Sequence, residues 1–358
     1  MPGPGDWYLL FDELPYDFSN PLPLSLGSCV FLDNTPQDVL DRVDPPALAD
    51  YVLPGYHLPG HGLVNCCLRY SAAPSQQLGS DPSQAFFESI MALRLRAPLP
   101  IEVTGQFKLG SNDDLIQEPT LYQVVSPWQP DASARYTSED IGKANDIVIR
   151  LRQVSESGYH KLKSAIVLFA QVTCGHSKSL QMAYLPLFAA LEALFTPRGN
   201  YASTLACRTS TYLQPFAFSG SLRDWLEEEY RTGRNNLAHG VQNMAPRMMA
   251  QGDRAEAFGR LHEITRLSIL GFLALDDKKL AVHSTATGTE LQHMLDSLGQ
   301  AGGQFVDGQR YWFRGLLLSS KWVHSAAESI IIAKLVMDTR STRSVIFSFA
   351  ELSNRLFS

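Results

Sequence analysis

The segment Tyr230-Arg-Thr-Gly-Arg234-Asn235-Asn236-Leu-Ala-His239-Gly240 sets a permanently charged guanidinium five residues before an imidazole, with carboxamides between them. On a helix, Asn235 and His239 are four residues apart and share a face, with Arg234 one step round. The long arginine stem can bring its planar fork back over the same site. Those residue types suit cleavage of an RNA phosphodiester. The ribose 2′-hydroxyl already lies beside the phosphorus, so the protein need supply neither a nucleophile nor a metal. It needs a group of near-neutral pKa to move protons, and histidine is one. It also needs donors aimed at the non-bridging oxygens where charge builds, and arginine is the best such clamp. Asparagine can hold a phosphate oxygen or fix the imidazole tautomer. Of the nine histidines only His239 has an arginine five residues upstream. A bare pair of that kind arises by chance in about a third of chains this long, so its weight lies in its surroundings. The competing reading is a helix terminus, with Arg234 paired to Glu227, Glu228 or Glu229 and His239 complementing the helix dipole ahead of Gly240.

The elements that would position this segment are helical. Ser138, followed by Glu139 and Asp140, is a good helix start, and Ile141, Ala144, Ile147, Val148 and Leu151 recur at helical spacing. Further helices are expected over Tyr159–Thr173, Ser179–Phe195, Ala202–Gln214, Ser221–Arg231 and Arg254–Leu275. Leu180, Tyr184, Leu187, Leu191 and Leu194 stripe the third of these, in which Pro186 should produce a kink or mark the true start. Ser221 and Asp224 form a capping-box pattern. Short connections make an antiparallel bundle the simplest arrangement.

Residues 1–135 differ. Pro and Gly punctuate short β-branched and aromatic runs, and strands are expected at Asp6–Phe11, Ser28–Leu32, Gly62–Tyr70, Ile101–Leu109 and Leu121–Val125. Phe86–Arg96 is open between strand and helix, and Ser126–Ala134 is the expected linker. Residues 276–358 form a C-terminal extension, with helices favoured at Tyr311–Leu318 and Ile330–Val336 after the Gly299–Gly303 break. The resulting fold class is α+β.

With helix order and motif in view, the sequence resembles the HEPN superfamily, in particular its ApeA-like branch. The family's motif, Arg, a polar residue, three variable positions, His and often Gly, is matched by Arg234-Asn235-Asn-Leu-Ala-His239-Gly240. Leu187-Phe-Ala-Ala-Leu-Glu192-Ala-Leu-Phe195 is similar to an upstream family helix, and Leu205-Ala-Cys-Arg208 to the next. Tyr230 falls where an aromatic commonly precedes the motif. The match covers residues 180–241 well and the bundle 139–275 by helix order; it leaves 1–135 and 276–358 untouched. The resemblance implies a helical HEPN domain that forms a homodimer and, in many members, cuts RNA without metal or cofactor in toxin or antiviral-defence settings. Carried over by position, it makes His239 the general acid/base, Arg234 the phosphate binder and Asn235 its orienter, with Glu192 bracing Arg234. Other HEPN domains are inactive scaffolds, so an alternative remains: a non-catalytic module for dimerisation and for binding RNA or protein.

Charge sharpens the division. Residues 1–135 carry 16 acidic and 6 basic residues, a net of −10, whereas 136–358 carry 20 acids and 24 bases, a net of +4. Only the second part is a natural host for a polyanion. The acidic first part is better suited to recognise a protein or small-molecule trigger. Between Ser179 and Asp277 there are nine arginines and no lysine; most are expected on a solvated mixed-charge surface, with Arg231, Arg208 and Asn236 the best substrate contacts. His57 and His61 flank Pro-Gly and lack a third ligand, so no metal site is expected. Arg310-Tyr-Trp-Phe-Arg314 could stack bases, although a core segment is the commoner cause. Five cysteines without a C-x-x-C pair fit a reducing cytoplasm. Apolar runs such as Ser164–Val172 and Ile330–Met337 fall short of the ~18 residues of a membrane span, and no basic stretch precedes an apolar core at the N-terminus.

Overall fold

Trp7–Glu13 (β1) is apolar at consecutive rather than alternate positions, because both of its faces are covered. Leu9 and Phe11 join the main apolar core, while Tyr8 and Leu10 join a second cluster with Val39, Cys67, Phe107 and Leu109. The computed structural model describes residues 5–14, 16, 23–32, 36, 39, 66–71, 81–99, 101–110, 115–118, 135–173, 180–195, 201–213, 218, 220–234, 251–286 and 289–300. β1 sits inside an antiparallel sheet with β2 (Leu24–Leu26), β3 (Cys29–Leu32), β4 (Cys67–Tyr70), β5 (Glu102–Leu109) and β6 (Leu115–Glu118), in the order β2-β3-β4-β1-β5-β6. β3, β4 and β5 fall within runs expected to be strands, β1 runs two residues past its expected end at Phe11, and β2 and β6 lie outside the expected runs. Leu121–Val125 and the linker at 126–134 lie outside the described residues.

The ambiguous Phe86–Arg96 belongs to helix α1 (Pro82–Arg96), opened by a proline at its first position. Every residue from Ala85 to Arg96 is buried, so the helix has no polar stripe to reveal its period. It packs on α2 (Ser138–Glu156), whose buried side is the expected Ile141, Ala144, Ile147, Val148 and Leu151 with Val154 added. The cap of α2 is Thr137, one residue before the expected start: its hydroxyl accepts the Asp140 N–H at 3.2 Å, and the Asp140 carboxylate accepts the Thr137 N–H at 2.9 Å.

α3 (His160–Thr173), α4 (Leu180–Phe195), α5 (Tyr201–Tyr212) and α6 (Leu222–Glu229) follow, and Tyr230–Arg234 is a π-helical turn. α4 runs through Pro186 rather than beginning there. The long α7 (Gln251–Leu273) packs on α4, and α8 (Asp277–Thr285) and α9 (Thr289–Gln300) open the C-terminal extension as helices. The expected segments at 311–318 and 330–336 lie outside the described residues. None of the described helices is long and apolar enough to cross a membrane.

Sheet and helices share one apolar core, in which Leu9, Phe31 and Leu68 belong to the same cluster as Phe169, Leu191 and Phe272. A buried polar network ties α1 to the helices that follow it in the chain. Arg96 on α1 pairs with Asp140 on α2 at 2.7 Å. Arg266 on α7 pairs with Glu263 at 2.6 Å and donates to the carbonyls of Leu95 and Arg96 at the C-terminal end of α1. The Tyr136 hydroxyl lies 3.0 Å from the Leu93 and Ala97 carbonyls at the same end. Arg94 donates to the carbonyls of Thr173 and Ile101. His262, buried against this cationic cluster, is pushed down to about 3 by burial first and then by Arg266 and Arg94, so it is neutral.

Candidate functional site

Tyr184, Phe188 and Glu192 recur every four residues along α4 and therefore lie on one line of its surface. The first two are buried and the last is partly exposed, so the line runs from core to solvent. α6 approaches it after a start set by Ser221, whose hydroxyl accepts the Asp224 N–H at 3.2 Å. The Tyr230 ring meets Phe188 edge-on at 5.4 Å and is 4% exposed. The helix then widens into the π turn, a distortion found often at functional sites. The turn brings Arg234 back over the residue four positions earlier, with its Cζ 5.1 Å from the Tyr230 ring centroid.

Both side chains converge on one carboxylate oxygen. Tyr230 donates its hydroxyl to Glu192 Oε1 at 2.7 Å, and an Arg234 terminal nitrogen lies 3.1 Å from the same atom. The Arg234 and Glu192 side chains are 27% and 24% exposed, so the ion pair is open to an approaching solute. Beneath it, burial and the Glu229 carboxylate push the Tyr184 phenol well above its ordinary pKa and keep it protonated. Arg234 thus takes Glu192, on another helix, as a partner. Glu227, one of the glutamates weighed for it, pairs instead with Arg231. Arg231 is 59% exposed and forms a surface pair four residues from its carboxylate.

Arg208 is placed differently from the expected substrate contact. Its side chain is 4% exposed; it donates to Asp296 at 3.0 Å and to the Phe195 carbonyl at 2.6 Å. Next to it, His283 Nε2 lies 3.0 Å from the Leu194 carbonyl. Burial lowers His283 to about 4, so the ring is neutral and its Nε2–H is the donor. Arg208 and His283 thereby close the C-terminal carbonyls of α4, the helix that carries Glu192. Arg266, grouped with the surface arginines by its sequence context, is 1% exposed.

Of the residues singled out from the sequence, Glu192, Tyr230 and Arg234 come together. Arg231 and Arg208 stand apart from them in the pairings just described. Asn235, Asn236, His239 and Gly240 lie outside the described residues, as do His57, His61 and Arg310–Arg314. Sequence reading missed His283 and the buried Arg94, Arg96 and Arg266. The only signal was at Arg94 and Arg96, two cations closing an otherwise apolar run. Among the described residues, no three His, Cys, Asp or Glu side chains group as metal ligands. No family model, no curated protein and no solved structure matches the chain.

Proposed function

We propose that the chain is a metal-independent endoribonuclease of HEPN type, acting as a homodimer in the cytoplasm as a toxin or antiviral-defence effector. The observation that carries this reading is the convergence of Glu192 and Arg234, from the two segments that the family resemblance links, at one partly exposed point beside Tyr230. In the proposed reaction, Arg234 holds the non-bridging oxygens of the scissile phosphate and Asn235 orients it. His239 manages the protons: the 2′-oxygen loses one as it bonds to phosphorus, and the departing 5′-oxygen gains one as its bond breaks. The products are a 2′,3′-cyclic phosphate and a 5′-hydroxyl. Asn236 and Arg231 extend the contact along the strand. The acidic residues 1–135 recognise a protein or small-molecule trigger or restrain the helical part, because a net-negative surface is a poor platform for RNA.

The test is purified protein incubated with RNA in excess chelator, beside His239→Ala and Arg234→Ala. Wild type should generate cyclic-phosphate ends, and each substitution should slow cleavage by about 10²–10⁴-fold, the usual weight of a general acid/base or of a charge-stabilising donor. Cleavage that survives both substitutions sinks the assignment. The Glu192–Arg234 ion pair also favours a second reading, in which Arg234 is structural and the helices form a binding module. RNA retained but left intact by all three proteins would support it.

A further inference from the structure

We infer that Glu192 is an exchange partner for the site's anionic ligand: the carboxylate holds Arg234 until a phosphodiester takes the guanidinium from it, and Tyr230 keeps the carboxylate satisfied after the exchange. The inference takes its ligand class from the proposed nuclease reading and adds how access to the site is controlled. It begins with the sharing of Glu192 Oε1 between two donors of unequal exposure. Tyr230 is fixed. Its residue is 4% exposed, its ring is held edge-on by Phe188, and its hydroxyl lies 2.7 Å from the carboxylate. Arg234 is the more accessible of the two, with 27% of its side chain exposed and a terminal nitrogen 3.1 Å from Glu192 Oε1.

A phosphodiester arriving from solvent offers two oxygens to the planar fork, whereas Glu192 already shares Oε1 with the Tyr230 hydroxyl. Withdrawing a guanidinium from a half-buried carboxylate would ordinarily leave the anion short of a hydrogen bond. Here the Tyr230 hydroxyl remains in place, which lowers the barrier to the exchange. Two opposite effects follow. Neutralising Glu192 removes the competitor and should tighten anion binding. Removing the Tyr230 hydroxyl takes one donor from the carboxylate, strengthens its hold on Arg234 and should weaken anion binding, but only in proteins that keep the Glu192 carboxylate.

The probe is a fluorescein-labelled 15-nucleotide oligothymidylate, which lacks the 2′-hydroxyl and cannot be cleaved, titrated with full-length protein and followed by anisotropy. Glu192→Gln and Glu192→Ala should each lower Kd by about threefold to fivefold, the range open to a partly exposed ion pair. Tyr230→Phe, which retains the ring, should raise Kd by about twofold to fivefold in the wild-type background and leave it unchanged in Glu192→Gln. Circular dichroism on each variant selects the folded ones, and Tyr230→Phe with the surviving Glu192 variant suffices for the comparison. Equal or weaker binding after Glu192 is neutralised overturns the inference. So does a Tyr230→Phe effect of the same size in both backgrounds, which a purely structural role would produce, or a wild type that does not bind the probe. The nuclease reading stands or falls separately on cleavage in chelator: the exchange pattern without cleavage would sink that reading and leave this inference intact.

Discussion

A guanidinium serves a substrate phosphate least well when the fold already uses its donors and seals it from water, and on that ground Arg208 and Arg234 part company. Arg208, buried between Asp296 and the Phe195 carbonyl, holds the end of α4. Arg208→Met should therefore lower stability by about 1–3 kcal/mol, the range for a hydrogen bond to a charged group, and a urea midpoint equal to wild type would contradict this. His283 acts in the same place through its neutral form, and His262 is likewise neutral. Their folded-state pKa values, about 4 and about 3, lie below the ordinary 6.5. The unfolded chain thus takes up protons as pH falls below about 6.5 while the folded chain does not, and stability drops by about 1.4 kcal/mol per pH unit for each ring. The loss ends only near the folded pKa values. Urea midpoints should fall from pH 7 to pH 5, less steeply in His283→Gln; a slope unchanged by that substitution would exclude His283 as a source.

At the scale of elements, what ties the sheet to the helices is the close seating of the β2–β3 hairpin on α2. Gly27, at φ +63°, donates its N–H to Asn145 Oδ1 at 2.8 Å, and a Cβ there would run into the Val148 side chain. Gly27→Ala should combine left-handed backbone strain with that clash and destabilise the protein by about 1–3 kcal/mol. Hydrogen exchange should quicken first at the β2 and β3 amides; protection lost first at α6 would refute the placement of the strain. α2 and α3 are legible in the sequence because one side of each meets water. α1 is not, because the sheet, α2 and α7 leave it no polar face.

For the molecule as a whole, the acidic first third and the basic remainder are compositionally distinct, yet the described parts of both share a core. Arg266 joins α7 to the end of α1, and Arg96 joins α1 to α2. Cooperative units are defined by such shared contacts rather than by composition. Calorimetry should show sheet and helices unfolding in a single transition, and Arg266→Met, which leaves the Glu263 carboxylate and the α1 carbonyls without their donor, should shift that transition down as one. Two separated transitions would show that the sheet stands alone.

By itself the sequence determined the α+β division, most helix positions, and the candidate chemistry of Arg234 with the elements meant to serve it, since period, caps and turn residues act over a few positions. It left open which carboxylate each arginine meets. Glu227 is four residues from Arg231, whereas Glu192 lies on another helix from Arg234, and nothing in either side chain chooses between local and distant partners. The tertiary structure chose, because the π turn carries Arg234 past its own helix and over Tyr230. It also drew Arg208, Arg96 and Arg266 inside, where buried carboxylates and open helix ends needed donors.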